Sequence, residues 1–393
     1  MYTEDKEACL TQINYAMKIA FDAKRIVRNG TGLGAYGRTL VNDIGSQAAY
    51  HDLHLLLYAP DAGRDDLRGQ IHVGERMQFV YPRTALPKSL WRSYGIVSDL
   101  RRDGIQLFHG LSGELPLGLR RQGIPGVVTI HDLIFLRHPE YYHWLDAKIY
   151  AYKFRATCRE ATRIIAISER TKHDIVALGG VDPDIIDVIY QSCNPRFGEP
   201  LSAEDVEATC QRLSLPRRYV LNVGSVEERK NVLLVVKALP LLPDDVHLVI
   251  VGKHTPYADR VAAYADAHAL SHRVHILHGI GDHDLQAIYQ QAQVFAYPSR
   301  YEGFGIPIIE AAFSRLPVVA CTGSCLEEAG GPDSLYVAPD DVEGMAAALS
   351  QLLTAGEERD NRILRTLHYV ERFRGRDVAS QVIDVYRRLV DGE

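Results

Sequence analysis

Two glutamates with seven residues between them, Glu302 and Glu310, carry the strongest chemical signal in the chain. They bracket the run Glu302-Gly303-Phe304-Gly305-Ile306-Pro307. A strand is predicted to end at about Ser299, a glycine-bearing loop follows, and Pro307 suits the first turn of a new helix. Gly303 and Gly305 let the backbone approach a ligand closely. The free N–H groups of such a helix start form an anion site. Glu302 lies before the helix and Glu310 about one turn inside it, so the pair can hold two ends of one polar ligand. Carboxylates accept hydrogen bonds from sugar hydroxyls well. The plainer reading makes Glu302 a helix-start charge worth about 0.3–1 kcal/mol and Glu310 a solvated surface residue.

The second constellation is Gly224-Ser225-Val226-Glu227-Glu228-Arg229-Lys230-Asn231, directly after an expected strand. Arg229 and Lys230 are expected where the next helix starts. Adjacent cations there oppose the helix dipole unless an anion joins them. A diphosphate would meet that need, with Lys as a point charge and Arg as a fork. The alternative is two solvated cations beside Glu227 and Glu228.

Weaker signals follow. Gly32-Leu33-Gly34-Ala35-Tyr36-Gly37 spells G-x-G-x-x-G after the first strand, but no acidic residue follows the second strand where a dinucleotide site needs one. A tight glycine loop touching a ligand fits better than an NAD site. His131, in Thr129-Ile130-His131-Asp132, ends a strand and can titrate near neutral pH. His109 also ends a strand, and a structural role weighs as heavily there. Asp182–Asp184 and Asp282–Asp284 resemble metal clamps. The first reads as a Pro-containing turn and the second as helix N-cap residues. No metal site is assigned.

These residues need elements that hold them at strand ends. Short Val- and Ile-rich runs alternate with helix-like segments from residue 18 onward. Continuous apolar runs are how strands buried on both faces of a parallel sheet read. Strand–helix alternation implies βαβ units. About thirteen strands are too many for one comfortable sheet, so the expected fold is α/β, two Rossmann-like doubly wound domains facing a cleft. The joint is placed near Gln191–Leu215. This gives an N-terminal domain over 1–196, with 1–16 as an extension, and a C-terminal domain over 197–375. A terminal helix at about 376–393 is expected to pack back on the first.

Charge sharpens this division. Residues 1–196 hold 25 Lys and Arg against 22 Asp and Glu, whereas the remainder holds 19 against 28. The front is basic and the back acidic, although the net charge of −6 gives no sign of nucleic-acid binding. Of the six cysteines only Cys321 and Cys325 lie close, as C-x3-C with no second pair nearby, a weak metal signal, and the six read as free thiols of a cytoplasmic protein. No run approaches the ~20 apolar residues of a membrane span, and no signal pattern opens the chain. Aromatic and basic residues mix over Tyr141–Arg163. With Arg83, Lys88, Trp91, Arg92, Arg101 and Arg102 they could meet anionic lipid or a lipid-linked acceptor. A buried apolar helix face with solvated cations is the competing view.

Taken together, the motifs resemble those of the family 4 retaining glycosyltransferases of GT-B fold, over residues 18–390. The most specific match is Glu302–Glu310. Beside it stand Gly224 with Arg229-Lys230-Asn231, the glycines at Gly32–Tyr36, and His131-Asp132-Leu133. Ser324-Cys325-Leu326-Glu327-Glu328 resembles the family's Ser-Ser-Leu-Pro-Glu, with Cys325 and Glu327 as departures. The resemblance implies that Lys230 and Arg229 neutralise the donor diphosphate. It implies that Glu310 holds the ribose and that Glu302 with the backbone of Gly303, Phe304 and Gly305 holds the donor sugar. His131 would contact the sugar or acceptor, and Gly32 and Gly34 would close over the diphosphate. Ser225 stands where many members carry Arg, which leaves that charge to Arg229, as in a mannosyltransferase-like subgroup. The implied reaction is metal-independent, cofactor-free hexose transfer from GDP-mannose, with a UDP-sugar such as UDP-glucose next. The acceptor would be a saccharide or lipid-linked saccharide of surface-polysaccharide synthesis, met at the inner face of the cell membrane. An epimerase, a phosphorylase-like enzyme or a non-catalytic sugar-nucleotide binder remain alternatives.

Overall fold

Each apolar run forms a strand because both of its faces find a core. The computed structural model describes residues 17–374 and 378–390. Its first sheet has β1 (Met17–Asp22), β2 (Leu53–Tyr58), β3 (Met77–Val80), β4 (Leu107–Gly110), β5 (Gly126–Ile130), β6 (Arg163–Ala166) and β7 (Ile186–Val188). Its second has β8 (Tyr219–Val223), β9 (His247–Val251), β10 (Val274–Leu277), β11 (Val294–Tyr297), β12 (Val318–Cys321) and β13 (Leu335–Val337). Thirteen strands are present among the described residues, in keeping with the number of apolar runs. In the second sheet, alternate residues divide between two cores. Tyr219, Leu221, Val249 and Phe295 enter one with Ile308 and Ile309, while Val220, Leu248, Ile250 and Val294 enter the other with Leu234 and Leu349. A strand with no wet face has no reason to carry polar residues, which explains its unbroken apolar run.

The first sheet runs β3-β2-β1-β4-β5-β6-β7 and the second β10-β9-β8-β11-β12-β13. All neighbouring pairs of the second sheet are parallel. The strand order reverses between β1 and β4 in one sheet and between β8 and β11 in the other. These switch points open a crevice at the strand carboxyl ends, where ligands of doubly wound sheets bind.

The sheets change over between Val188 and Tyr219. By compactness the chain forms two units. One is Met1–Val128, Arg159–Thr162 and Val382–Glu393, and the other is Thr129–Cys158 and Arg163–Gln381. The helix Val378–Val390 supplies Tyr386, whose hydroxyl lies 2.5 Å from His109 Nδ1 inside the first unit. His109 is fully buried there, which favours its structural reading. The extension 1–16, Cys9 and part of the terminal segment lie outside the described residues.

Two local expectations change. The glycine run does not follow β1 directly. The short helix Lys24–Arg28 intervenes, and Gly32 opens the helix Gly32–Gln47 that contains Gly34 and Gly37. A side chain at Gly34 would collide with the Asn29 carbonyl, so close backbone packing accounts for that glycine. Asp282 and Asp284 are not N-caps. Gly281 takes that place, and the two aspartates lie in the first turn, paired with Arg196 at 2.5 Å and Arg212 at 2.6 Å.

Candidate active site

The second sheet's switch point brings the strongest sequence signals together. After β8 the chain passes Gly224 and Ser225 and makes a 3-10 turn at Glu228–Lys230. Asn231 then takes a left-handed conformation, and its amide donates to the carbonyls of Pro298 (3.1 Å) and Pro339 (2.7 Å). This turn precedes the helix Leu233–Ala238, so Arg229 and Lys230 stand ahead of a helix rather than in its first turn. After β11 the chain reaches Glu302, and Gly305 caps the helix Ile306–Phe313.

Across the crevice, Lys230 Nζ lies 2.8 Å from Glu302 Oε1, and Arg229 Nη1 lies 3.0 Å from Glu302 Oε2. Lys230 also donates to the Tyr297 hydroxyl at 2.8 Å, which donates to Glu302 at 3.2 Å. The three charged side chains are 12–16% exposed. The anion demanded by the adjacent cations is therefore supplied by the protein itself. Two cations on one carboxylate still leave positive charge at the crevice. Burial alone would raise the Glu302 carboxyl, but Lys230 and Arg229 outweigh it and hold it down to about 2. Burial would lower the Lys230 ammonium, and Glu302 overcomes this to raise it.

The loop carrying Glu302 is fastened on every side. Arg229 Nη1 donates to the Tyr301 carbonyl at 2.6 Å. The Tyr301 phenol donates to buried Asp174, which also accepts from Arg137 at 3.1 Å. Cys325 Sγ donates to the carbonyls of Glu302 (3.1 Å) and Phe304 (2.7 Å). The Gly303 carbonyl accepts from Ser168 Oγ at 2.7 Å. A side chain on Gly303 would strike the His131 carbonyl, so only glycine lets these segments meet. His131 Nδ1 accepts from the Gln191 amide at 3.1 Å, which places the proton of a neutral ring on Nε2.

Glu310 sits apart from this cluster. It accepts from the Tyr289 hydroxyl at 2.9 Å, and burial pushes its carboxyl up to about 7. It is thus no solvated surface residue. Phe304 turns its ring into the core against Tyr190 and Phe373, so only its backbone can serve a ligand. Gly32 and Gly34 belong to the other unit. Tyr297, Tyr301, Asp174 and Ser168 were not singled out from sequence. Tyr297 and Tyr301 flank the glutamate motif and could have been, whereas nothing in sequence links Asp174 to it. At the first sheet's switch point, Arg92 bridges Asp22, at the end of β1, and Glu114, beyond β4. This cluster too left no readable motif.

Part of the expected basic-aromatic surface is absent. Trp91 is buried, with Nε1 donating to Asp99 at 2.7 Å, and Arg92 is committed to its two carboxylates. Arg83 and Lys88 remain exposed, although they pair with Asp103 and Asp61. Within the helix Trp144–Glu160, however, Trp144, Tyr150 and Tyr152 are exposed, and Lys148 lies over the Trp144 ring at 4.8 Å. Among the described residues no helix is long and apolar enough to cross a membrane, and no three His, Cys, Asp or Glu side chains gather as a metal-ligand set.

Residues 39–197 match the family described as Glycosyltransferase Family 4, and residues 210–366 match Glycosyl transferases group 1. The chain is 27% identical over 388 residues to O-antigen chain mannosyltransferase B of Escherichia coli, covering 95% of this chain and 100% of the relative. It is 27% identical over 246 residues to O-antigen chain mannosyltransferase RfbU of Salmonella typhimurium, covering 63% and 65%. The solved structure of sucrose-phosphate synthase from Thermosynechococcus elongatus superposes with a TM-score of 0.77 at 20% identity, over 96% of this chain and 100% of that one. The two sheets and the two matched domains define a glycosyltransferase of GT-B fold. The chain carries a Glycosyltransferase Family 4 domain followed by a Glycosyl transferases group 1 domain and resembles the bacterial O-antigen mannosyltransferases.

Proposed function

We propose that this glycosyltransferase moves mannose from GDP-mannose, with retention and without a metal, to a saccharide or lipid-linked saccharide acceptor in polysaccharide synthesis. The observation that carries the reading is the placement of Lys230 and Arg229 at the β8–β11 switch point, held ready by Glu302. Breaking the anomeric bond builds positive charge on the sugar ring and negative charge on the leaving diphosphate. Preorganised cations stabilise that leaving charge, each good donor being worth about 2.7–4 kcal/mol. They supply what a divalent ion would otherwise supply. In our reading Glu310 holds the ribose. Glu302 and the backbone of Gly303, Phe304 and Gly305 hold the donor sugar, with Ser225 beside the diphosphate. His131 Nε2–H donates to a sugar or acceptor hydroxyl. The leaving phosphate oxygen takes the acceptor proton as the new bond forms on the same face.

The mannose assignment draws on the similarity to O-antigen mannosyltransferases and on Ser225 with Arg229. A UDP-sugar donor is the second reading. The protein is placed in the cytoplasm, with the exposed Trp144, Lys148 and Tyr152 as a peripheral membrane contact. Donor hydrolysis across GDP- and UDP-sugars, with and without EDTA, tests the assignment. Turnover of GDP-mannose that survives EDTA is expected. Loss of all turnover in EDTA would refute the metal-free mechanism, and saturable binding without turnover would make the chain a binder.

A further inference from the structure

The first unit contains a cavity of about 530 Å³ on the amino side of β4 and β5, between the helix Ile96–Arg102 and the turn Leu117–Gln122. Arg101, Arg102 and Arg121 line it, together with Tyr94, Val97 and Leu117. The nearby acids are already engaged. Asp99 pairs with Arg102 and accepts from Trp91. Asp103 is held by Arg83 at 2.9 Å and Tyr58 at 2.8 Å. Glu160 accepts the backbone N–H groups of Gly118 and Arg120. Among the described residues, Arg101 meets only the Gln122 amide oxygen at 3.4 Å, and Arg121 has no acidic partner. Two guanidinium groups thus face the cavity without a counter-charge. Their forks match the paired oxygens of a phosphate. The volume exceeds what a bare anion needs and falls within the range of organic-ligand sites. The Val97 and Leu117 walls suit an organic body beside the charge.

We infer that this cavity is a binding site for a phosphate ester, distinct from the strand carboxyl ends where the transfer reaction is placed. The ester could be the headgroup of an anionic lipid or a soluble phosphorylated metabolite. Leu86, Leu90 and Tyr94 are exposed on the adjoining segment, as an interfacial contact needs.

The test compares the full wild-type chain with Arg101→Gln/Arg121→Gln and with Arg101→Lys/Arg121→Lys. One arm measures co-sedimentation with phosphatidylglycerol–phosphatidylcholine vesicles, against phosphatidylcholine alone. The other measures calorimetric binding of glycerol 3-phosphate. Binding of at least one probe should weaken tenfold or more in the glutamine variant and recover partly in the lysine variant. The donor site is intact in all three chains, so the difference reports this cavity. Vesicle binding alone assigns the lipid source, and glycerol 3-phosphate binding alone assigns the soluble one. Both side chains are exposed, so the variants should melt within a degree or two of wild type. If they do not, the single Arg121→Glu change carries the same comparison. Failure of both probes to bind wild type, or equal binding by wild type and variants, overturns the inference.

Discussion

Lys230 and Glu302, 72 positions apart in sequence, meet at 2.8 Å across the point where the second sheet reverses its strand order. The carboxylate fixes the ammonium before any donor arrives. Replacing Lys230 with Ala should cut transfer about 10²–10³-fold, the size expected for one preorganised donor to a developing oxyanion. Arg229 still neutralises Glu302, so the variant should fold. Near-normal rates in it would remove Lys230 from the mechanism.

The same pair makes stability depend on acid. Glu302 is held down to about 2 from an ordinary 4.5, so the folded state favours its ionised form. Its contribution is complete above about 4.5 and is lost as pH falls towards 2, an effect on the order of 3 kcal/mol. Glu302→Gln should therefore be less stable than wild type at pH 7, and the gap should narrow by pH 3. Parallel melting curves across that range would contradict the pairing.

Glu310 runs the other way. Its carboxyl, raised to about 7 by burial, keeps a proton that the unfolded chain releases near 4.5. On its account stability falls as pH rises from about 4.5 to 7 and is level above. Glu310→Gln should abolish that decline in melting temperature. If Glu310 receives ribose hydroxyls as a carboxylate, donor KM should also fall as pH rises through 7, in wild type only.

Gly303 offers a steric test. A methyl group there meets the His131 carbonyl, and Ser168 holds the Gly303 carbonyl in place. Gly303→Ala should cost about 1–3 kcal/mol, the range for overpacking, and lower kcat by displacing Glu302. An unchanged melting temperature and kcat would show that this contact is slack.

Arg92 is 14% exposed and serves Asp22 and Glu114 together. Arg92→Ala strands a buried carboxylate, and a loss of about 3–5 kcal/mol is expected in chemical denaturation. A loss below 1 kcal/mol would mean that water already reaches the cluster.

The sheets were legible because strands such as His247–Val251 and Val294–Tyr297 announce burial on both faces in their composition. The meeting of Lys230 with Glu302 could be anticipated only as a shared motif, because β8 and β11 are neighbours through topology rather than through sequence. The contact of Glu302 with the two cations was not legible for a physical reason. A helix dipole argument considers local charge alone, whereas the neutralising carboxylate arrives from another strand. Asp174 shows the limit most plainly. It reaches Tyr301 across 127 positions, and a single aspartate in a helix gives no local sign of such a bond. Trp91 misled in the opposite sense, since an indole beside arginines reads as interfacial until Asp99 is found beneath it.

His109 and Tyr386 are separated by 277 positions, yet both belong to the core of the first unit. On the ribosome, His109 emerges well before Tyr386 and waits while most of the second unit is synthesised. The histidine meets the phenol only after the helix Val378–Val390 has been made. The first unit is therefore completed only after the second has been translated, and its maturation is tied to synthesis of the segments between its parts.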